Sequence, residues 1–171
     1  DIEIFGAGQT ITNYYGVGVS RDGRWLEISA AEGTAPRNDL WVADLSTCEP
    51  EAPELREVQV GIDAQTGLEF GRDGRIYVFT DLDAPRGRIC VTDADHMTSD
   101  HWRDLISQDD IAVLDGFGIL DGPELDEPVM LATWTRHSVG EITVHRLEDG
   151  KQTGVVPAPG VGTLGGIVER P

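Results

Sequence analysis

Residues 14–45 read YYGVGVSRDGRWLEISAAEGTAPRNDLWVADL, and this stretch decides the fold. Residues 14–20 form a short run with Val17 and Val19 on one face. Arg21-Asp22-Gly23-Arg24 then makes a tight turn, because Gly23 has no Cβ to clash at positive φ. Trp25, Leu26 and Ile28 continue as a second strand, apolar enough to be buried on both sides. A polar loop over residues 32–39 holds Pro36 and ends that strand. Residues 40–45 are a third strand, with Leu40, Trp41 and Val42 available for packing. Three antiparallel strands joined by short loops make a meander.

The pattern returns in residues 67–95, GLEFGRDGRIYVFTDLDAPRGRICVTDAD. A second Arg-Asp-Gly-Arg stands at 72–75, followed by an apolar strand at 76–79, a loop with Pro85, and a strand at 88–92. A period of roughly 40–50 residues with four short strands per unit is the signature of β-propeller blades. The chain in order predicts a short strand at 2–5 within residues 1–12, the end of a preceding blade. One blade spans 14–60, with its fourth strand at 55–60 after a loop over 50–53. A second spans 67–107, with a helical turn within 96–101 and an outer strand at 102–106. A third spans 111–158, with strands at 111–120, 129–135, 141–147 and 152–156, where Ile142 and Val144 alternate against Thr143 and His145. Residues 160–171 begin a further blade. The expected fold class is all-β: a partial β-propeller of about three four-stranded antiparallel blades, with incomplete blades at both ends.

The chain has 171 residues, 31 acidic against 13 basic side chains and a net charge of −18. That balance argues against nucleic acid, whose phosphates need a basic footprint. An acidic shell that keeps a repeat protein soluble accounts for it, and attraction of cationic peptides is the sharper reading. No apolar run reaches the ~20 residues of a membrane helix, and no signal peptide is visible. A cytoplasmic location is the expectation, with secretion left open. The 39% apolar content suffices for a core. Cys48 and Cys90 do not make a disulfide scaffold, and Cys90 reads as a buried free thiol.

The first residue is Asp1 and the last Pro171, so both ends look cut. Blades pack through apolar faces, and a three-blade piece leaves two faces open. If each matches a domain contact of roughly 600–1,500 Å², the lost burial is on the order of 10 kcal/mol per face. This rivals the ~5–15 kcal/mol of a whole domain. Self-association of the isolated chain is therefore expected.

Candidate chemistry is sparse. None of the serines, Ser20, Ser29, Ser46, Ser99, Ser107 and Ser138, lies in a Gly-x-Ser-x-Gly context. Asp93, Asp95, His96 and His101 cluster, but their spacing matches no standard zinc or calcium loop, and a solvated loop is expected there. Gly160-Val161-Gly162-Thr163-Leu164-Gly165 has the letters of a dinucleotide fingerprint, yet the β context and the Pro157-Ala158-Pro159 lead-in deny the βαβ unit it requires. Asp81 and Asp83 before Pro85 read as turn formers. No catalytic residue, metal or cofactor is expected in the chain.

Val19-Ser20-Arg21-Asp22-Gly23-Arg24-Trp25-Leu26 resembles a blade of the propeller domain of prolyl oligopeptidases. So do Glu32-Gly33-Thr34 and the run Asn38-Asp39-Leu40-Trp41-Val42-Ala43-Asp44-Leu45. The later Leu147-Glu148-Asp149-Gly150 turn and the glycine-rich 160–166 keep the order of elements. The resemblance implies a propeller that caps an α/β-hydrolase domain carrying a Ser-Asp-His triad, and a parent that cleaves short peptides after proline. It implies that the hydrolase domain and short proline-containing peptides are the partners. This chain then contains none of the triad and is inactive alone. By the same resemblance Glu32 and Thr34 line the substrate cavity. The sequence departs from the family at Ala31, where many members carry Arg, and at Thr34, where some carry Cys. Oligopeptidase B and acylaminoacyl peptidase are related possibilities. The rival class is a propeller that binds a protein partner on a rim, with no link to catalysis.

Overall fold

The computed structural model describes residues 2–49, 51–158 and 160–167, and its strands form three four-stranded antiparallel sheets. The first contains β1 (Asn13–Val19), β2 (Trp25–Glu32), β3 (Asp39–Asp44) and β4 (Arg56–Gln59) in sequence order. The second contains β5 (Thr66–Phe70), β6 (Ile76–Thr80), β7 (Arg88–Thr92) and β8 (Arg103–Ile106), with a 3-10 turn, η1 (Ser99–His101), before β8. The third contains β9 (Val113–Leu120), β10 (Val129–Arg136), β11 (Val139–Arg146) and β12 (Gln152–Val156).

Register follows from the turns. Arg21 to Arg24 closes β1 on β2 so that Val19 faces Leu26 and Asn13 faces Glu32. β2 meets β3 with Trp25 opposite Asp44 and Ala30 opposite Asp39. The pairing of third with fourth strand shifts register between Leu40 and Trp41 in the first sheet and between Ile89 and Cys90 in the second. These are matching positions of the two repeats. A further shift lies between Val144 and His145 in the third sheet. An extra residue at such a place adds local twist and lets the outer strand leave the sheet.

By backbone proximity the chain divides into two compact units, Asp1–Val78 with Thr92–Trp102, and Phe79–Val91 with Arg103–Pro171. In the first, Leu26, Ile28 and Ala43 form a buried cluster against which Phe5, Leu45 and Leu55 pack. Phe5 also meets the Trp41 ring at 4.7 Å. On the other face of β2, Trp25 stacks on Phe70, the rings 5.4 Å apart and nearly parallel. In the second unit Ile89, Cys90, Leu114, Met130, Ala132 and Trp134 are buried. Cys90 is a free thiol whose burial pushes it up to about 12.

Several expectations need correction. Residues 2–5 form no strand, although Ile2-Glu3-Ile4-Phe5 alternates; Phe5 alone packs, while Ile2 and Ile4 are exposed. An alternating pattern needs a partner edge before it becomes a strand. Val17 and Val19 share one face of β1, and that face is exposed at both. On β11 Gly140 and His145 are buried, so the buried side chain is an imidazole, with Ile142 and Val144 only partly covered. Its Nδ1 pairs with the Gly150 carbonyl at 2.8 Å and its Nε2 with Thr143 Oγ1 at 2.7 Å. Thr143 Oγ1 in turn accepts from Trp134 Nε1 at 2.8 Å. A fully satisfied polar chain lets an imidazole occupy a core position. Residues 160–167 carry no strand. The rest of that expected blade, residues 168–171, lies outside the described residues, as do Asp1, Pro50 and Pro159 of the segments discussed above.

Candidate functional site

Glu32 ends β2, and the chain then turns through Gly33 and Thr34 before β3. Ala35 N donates to the Glu32 carbonyl at 3.1 Å, closing that turn, and Gly33 N donates to the Thr12 carbonyl at 3.2 Å. Beside it lies a cleft of about 150 Å³ lined by residues that include Asn13, Glu32, Arg37, Asn38, Asp39 and Gly61. The Glu32 carboxylate is exposed there: Thr12 Oγ1 reaches it at 3.5 Å, and Arg37 stands 4.0 Å away. An exposed ion pair at that separation stabilises little. The carboxylate is thus held loosely and open to an incoming cation or N–H donor.

The floor of this cleft is rigid for a definite reason. Asn38 is buried, and its side-chain amide donates to the Thr66 carbonyl at 3.0 Å and Ser29 Oγ at 3.2 Å, while its Oδ1 accepts from Thr66 N at 2.8 Å. Gln59, also buried, donates from Nε2 to the carbonyls of Asn38 and Ala64, both at 2.9 Å. Thr66 Oγ1 donates to Gln59 Oε1 at 2.9 Å. Asp39 Oδ1 accepts from Gly61 N at 2.7 Å. Three buried polar side chains satisfy one another and tie the β2–β3 loop to the β4–β5 link. Such networks specify one arrangement because any broken member strands the others without water.

Of the two residues expected to line a cavity, Glu32 lines this cleft and Thr34 does not; Thr34 stands exposed in the adjoining turn. Arg37, Asn38 and Asp39 also line it, a role the sequence reading assigns to none of them. The available signal was three consecutive polar residues after Pro36 and just before an apolar strand.

A second cleft of about 230 Å³ opens beside Trp25, lined by Arg24, Asp44, Arg56 and Asp95 among others. The guanidinium carbons of Arg24 and Arg56 lie 4.9 and 5.6 Å from the Trp25 ring centroid. Arg24 donates to Asp44 at 2.7 Å and holds its carboxyl well below the usual range, with Ser46 helping. Arg56 donates to the Ala94 carbonyl at 3.1 Å. Both cations are already engaged, so this cleft offers a ligand less than the first does.

Ser20 Oγ bonds to Asp22, Ser46 Oγ to Asp44 and Ser107 Oγ to Asp104, and among the described residues no serine or cysteine side chain hydrogen-bonds to a histidine. No helix there is long and apolar enough to cross a membrane.

A family model described as "Prolyl oligopeptidase, N-terminal beta-propeller domain" matches residues 1–170. The prolyl endopeptidase of Elizabethkingia meningoseptica is 25% identical over 166 residues, which are 96% of this chain and 21% of that protein. That of Elizabethkingia miricola is 26% identical over the same shares. The chain therefore spans about a fifth of the length of the curated relatives it matches. A solved structure from a study of two prolyl endopeptidases superposes with a TM-score of 0.75 at 26% identity, over 88% of this chain and 20% of that one. Prolyl oligopeptidase B from Galerina marginata, bound to a 35mer hydrolysis and macrocyclization substrate, shares the fold with a TM-score of 0.78 at 22% identity, over 95% and 22% of the two chains.

Proposed function

Since the chain belongs to the family of the prolyl oligopeptidase N-terminal β-propeller domain, its three sheets being propeller blades, we propose that it is a non-catalytic segment of the propeller that gates access of short peptides to a hydrolase active site. The single observation that carries this reading is the family match across residues 1–170, to the propeller and not to a hydrolase domain. The partner in this reading is an α/β-hydrolase domain of the same polypeptide, acting on proline-containing peptides as a serine peptidase.

The physics of a gate is simple. A folded protein would have to unfold before threading a narrow passage, at a cost of about 5–15 kcal/mol, whereas a short peptide carries no such penalty. The propeller therefore acts on which substrates arrive, and bond chemistry belongs to the other domain. Glu32 in its cleft is the residue proposed to touch a passing peptide, through its loosely held carboxylate. Thr34 in the adjoining turn is the second proposed cavity residue.

The test pairs the parent polypeptide with this chain alone, using a short proline-containing chromogenic peptide and a folded protein that carries the same sequence. The parent is expected to cleave the peptide and spare the folded protein, and the isolated chain to cleave neither. Glu32→Ala in the parent is expected to raise KM about threefold at unchanged kcat, loss of one exposed charge contact being worth ~0.5–1 kcal/mol. Turnover by the isolated chain, or equal cleavage of the folded protein, overturns the proposal.

A further inference from the structure

The link between β7 and β8 carries two histidines that the sequence separates and the fold brings ring to ring. His96 and His101 have centroids 4.9 Å apart and ring planes inclined by 42°. Each imidazole presents Nδ1 to a carboxylate: His96 hydrogen-bonds to Asp93 Oδ1 at 2.9 Å, and His101 Nδ1 lies 3.2 Å from Asp100 Oδ1 and 3.5 Å from Thr98 Oγ1, which itself donates to Asp100. A carboxylate on Nδ1 favours the tautomer with the proton on that nitrogen, which leaves the lone pair on Nε2. Neither Nε2 has a hydrogen bond among the described residues, and both side chains are about half exposed.

The loop that carries the pair is anchored. Met97, between the two histidines, is buried, and its carbonyl accepts from Trp102 Nε1 at 2.8 Å. Arg56 donates to the Ala94 carbonyl at 3.1 Å on the other side. The backbone turn is closed by His96 N to the Asp93 carbonyl and His101 N to the Thr98 carbonyl. The backbone that carries the two rings is therefore held on both sides.

We infer that His96 and His101 form a two-histidine site for one late first-row transition-metal ion, of the Zn²⁺ and Cu²⁺ class, bound through both Nε2 atoms. Metal–nitrogen bonds of ~2.0–2.1 Å at a near-tetrahedral angle place two imidazole centroids roughly 5 Å apart, close to the spacing found. The Asp–His arrangement on each ring is the one that orients metal-binding imidazoles elsewhere. No group of three or more His, Cys, Asp and Glu side chains assembles a metal site among the described residues, so water completes the coordination. Spacing along the chain fits no zinc or calcium loop because the two ligands are brought together by the β7–β8 link, His96 before η1 and His101 at its end. The buried His145 cannot compete, since both its nitrogens are engaged.

The experiment is calorimetric titration of the untagged 171-residue chain with Zn²⁺ and Cu²⁺, read alongside ¹⁵N NMR of the histidine side chains. One equivalent is expected to bind, Cu²⁺ more tightly than Zn²⁺, with both Nε2 resonances shifting and Mg²⁺ producing no shift. His96→Ala and His101→Ala are each expected to weaken binding at least about tenfold, and Asp93→Asn about tenfold, while His137→Ala changes nothing. Circular dichroism of the metal-free variants checks that they fold. Absence of a stoichiometric transition overturns the site. So does binding that survives the double His96→Ala, His101→Ala replacement, which would place the ion on the acidic surface.

Discussion

In the first hairpin Asp22 accepts from Ser20 Oγ at 2.5 Å and from Arg24 N at 3.1 Å, and Arg24 reaches away to Asp44 at the end of β3. In the second hairpin the same four residues, Arg-Asp-Gly-Arg, are wired differently. Arg75 folds back on its own Asp73 at 2.8 Å, and Tyr77 Oη donates to the same carboxylate at 2.7 Å. Both turns hold glycine at positive φ, 76° at Gly23 and 79° at Gly74. The residue before the turn decides the rest. Ser20 supplies a hydroxyl that holds Asp22 and accepts from Trp25 N at 2.8 Å, which frees Arg24. Gly71 supplies nothing, and Asp73 and Tyr77 fill that space: a Cβ on Gly71 would stand 2.5 Å from Asp73 Oδ1 and 2.8 Å from the Tyr77 ring. Turn letters thus set the backbone, and one flanking side chain sets the charge network.

The contrast breaks first at Gly71. Gly71→Ala forces a methyl against a carboxylate and a fully buried ring, and is expected to cost about 3 kcal/mol. Ser20→Ala, which removes one hydroxyl from a partly exposed turn, is expected to cost about 1 kcal/mol. Urea denaturation of both variants checks the ratio; equal losses would mean the two turns are interchangeable.

The strands after the turns sharpen it. β2 carries Glu27 where β6 carries the fully buried Val78. Burial pushes Glu27 up to about 7, and the charge of Glu69 adds to the shift. A carboxyl raised in the folded state stabilises fully below its unfolded value of 4.5 and loses that contribution as pH rises to about 7. Glu27→Gln is expected to flatten this limb and to stabilise the chain by about 2 kcal/mol at pH 8. Denaturation midpoints at pH 4.5 and pH 8 decide it, since an unchanged slope would mean that Glu27 is charged at no cost.

A third turn has no glycine. Between β10 and β11, His137 and Ser138 both hold positive φ, at 49° and 64°. Ser138→Gly is expected to stabilise by about 1 kcal/mol, and a thermal melt showing no gain would place that turn outside the glycine rule that the first two obey.

Strand order was legible because apolar runs of half a dozen residues between Gly, Pro and Asp turns have few other ways to fold. The match at residues 88–92 and 152–156 is complete, and other strands moved by a residue or two at their ends. The reading failed where pairing depends on a partner that local pattern does not reveal. Residues 2–5 alternate yet have no edge, and His145 reads as a polar position yet packs in the core, saved by Thr143 and Gly150. At the candidate site Glu32 came from resemblance. Asn38 and Gln59, which build the floor beneath it, did not, because their value lies in hydrogen bonds that reach Thr66 across the β2–β3 loop and the β4–β5 link.

By itself the sequence determined an antiparallel, turn-punctuated chain with a repeated four-strand unit, since side-chain alternation and glycine's freedom at positive φ are local properties. Tertiary structure alone decided which carboxylate each arginine meets, which polar residues are buried, and that His96 and His101 face each other. Those outcomes rest on distances between residues far apart in the chain or separated by a turn, and they are fixed by packing and by the cost of leaving a buried polar group without a partner.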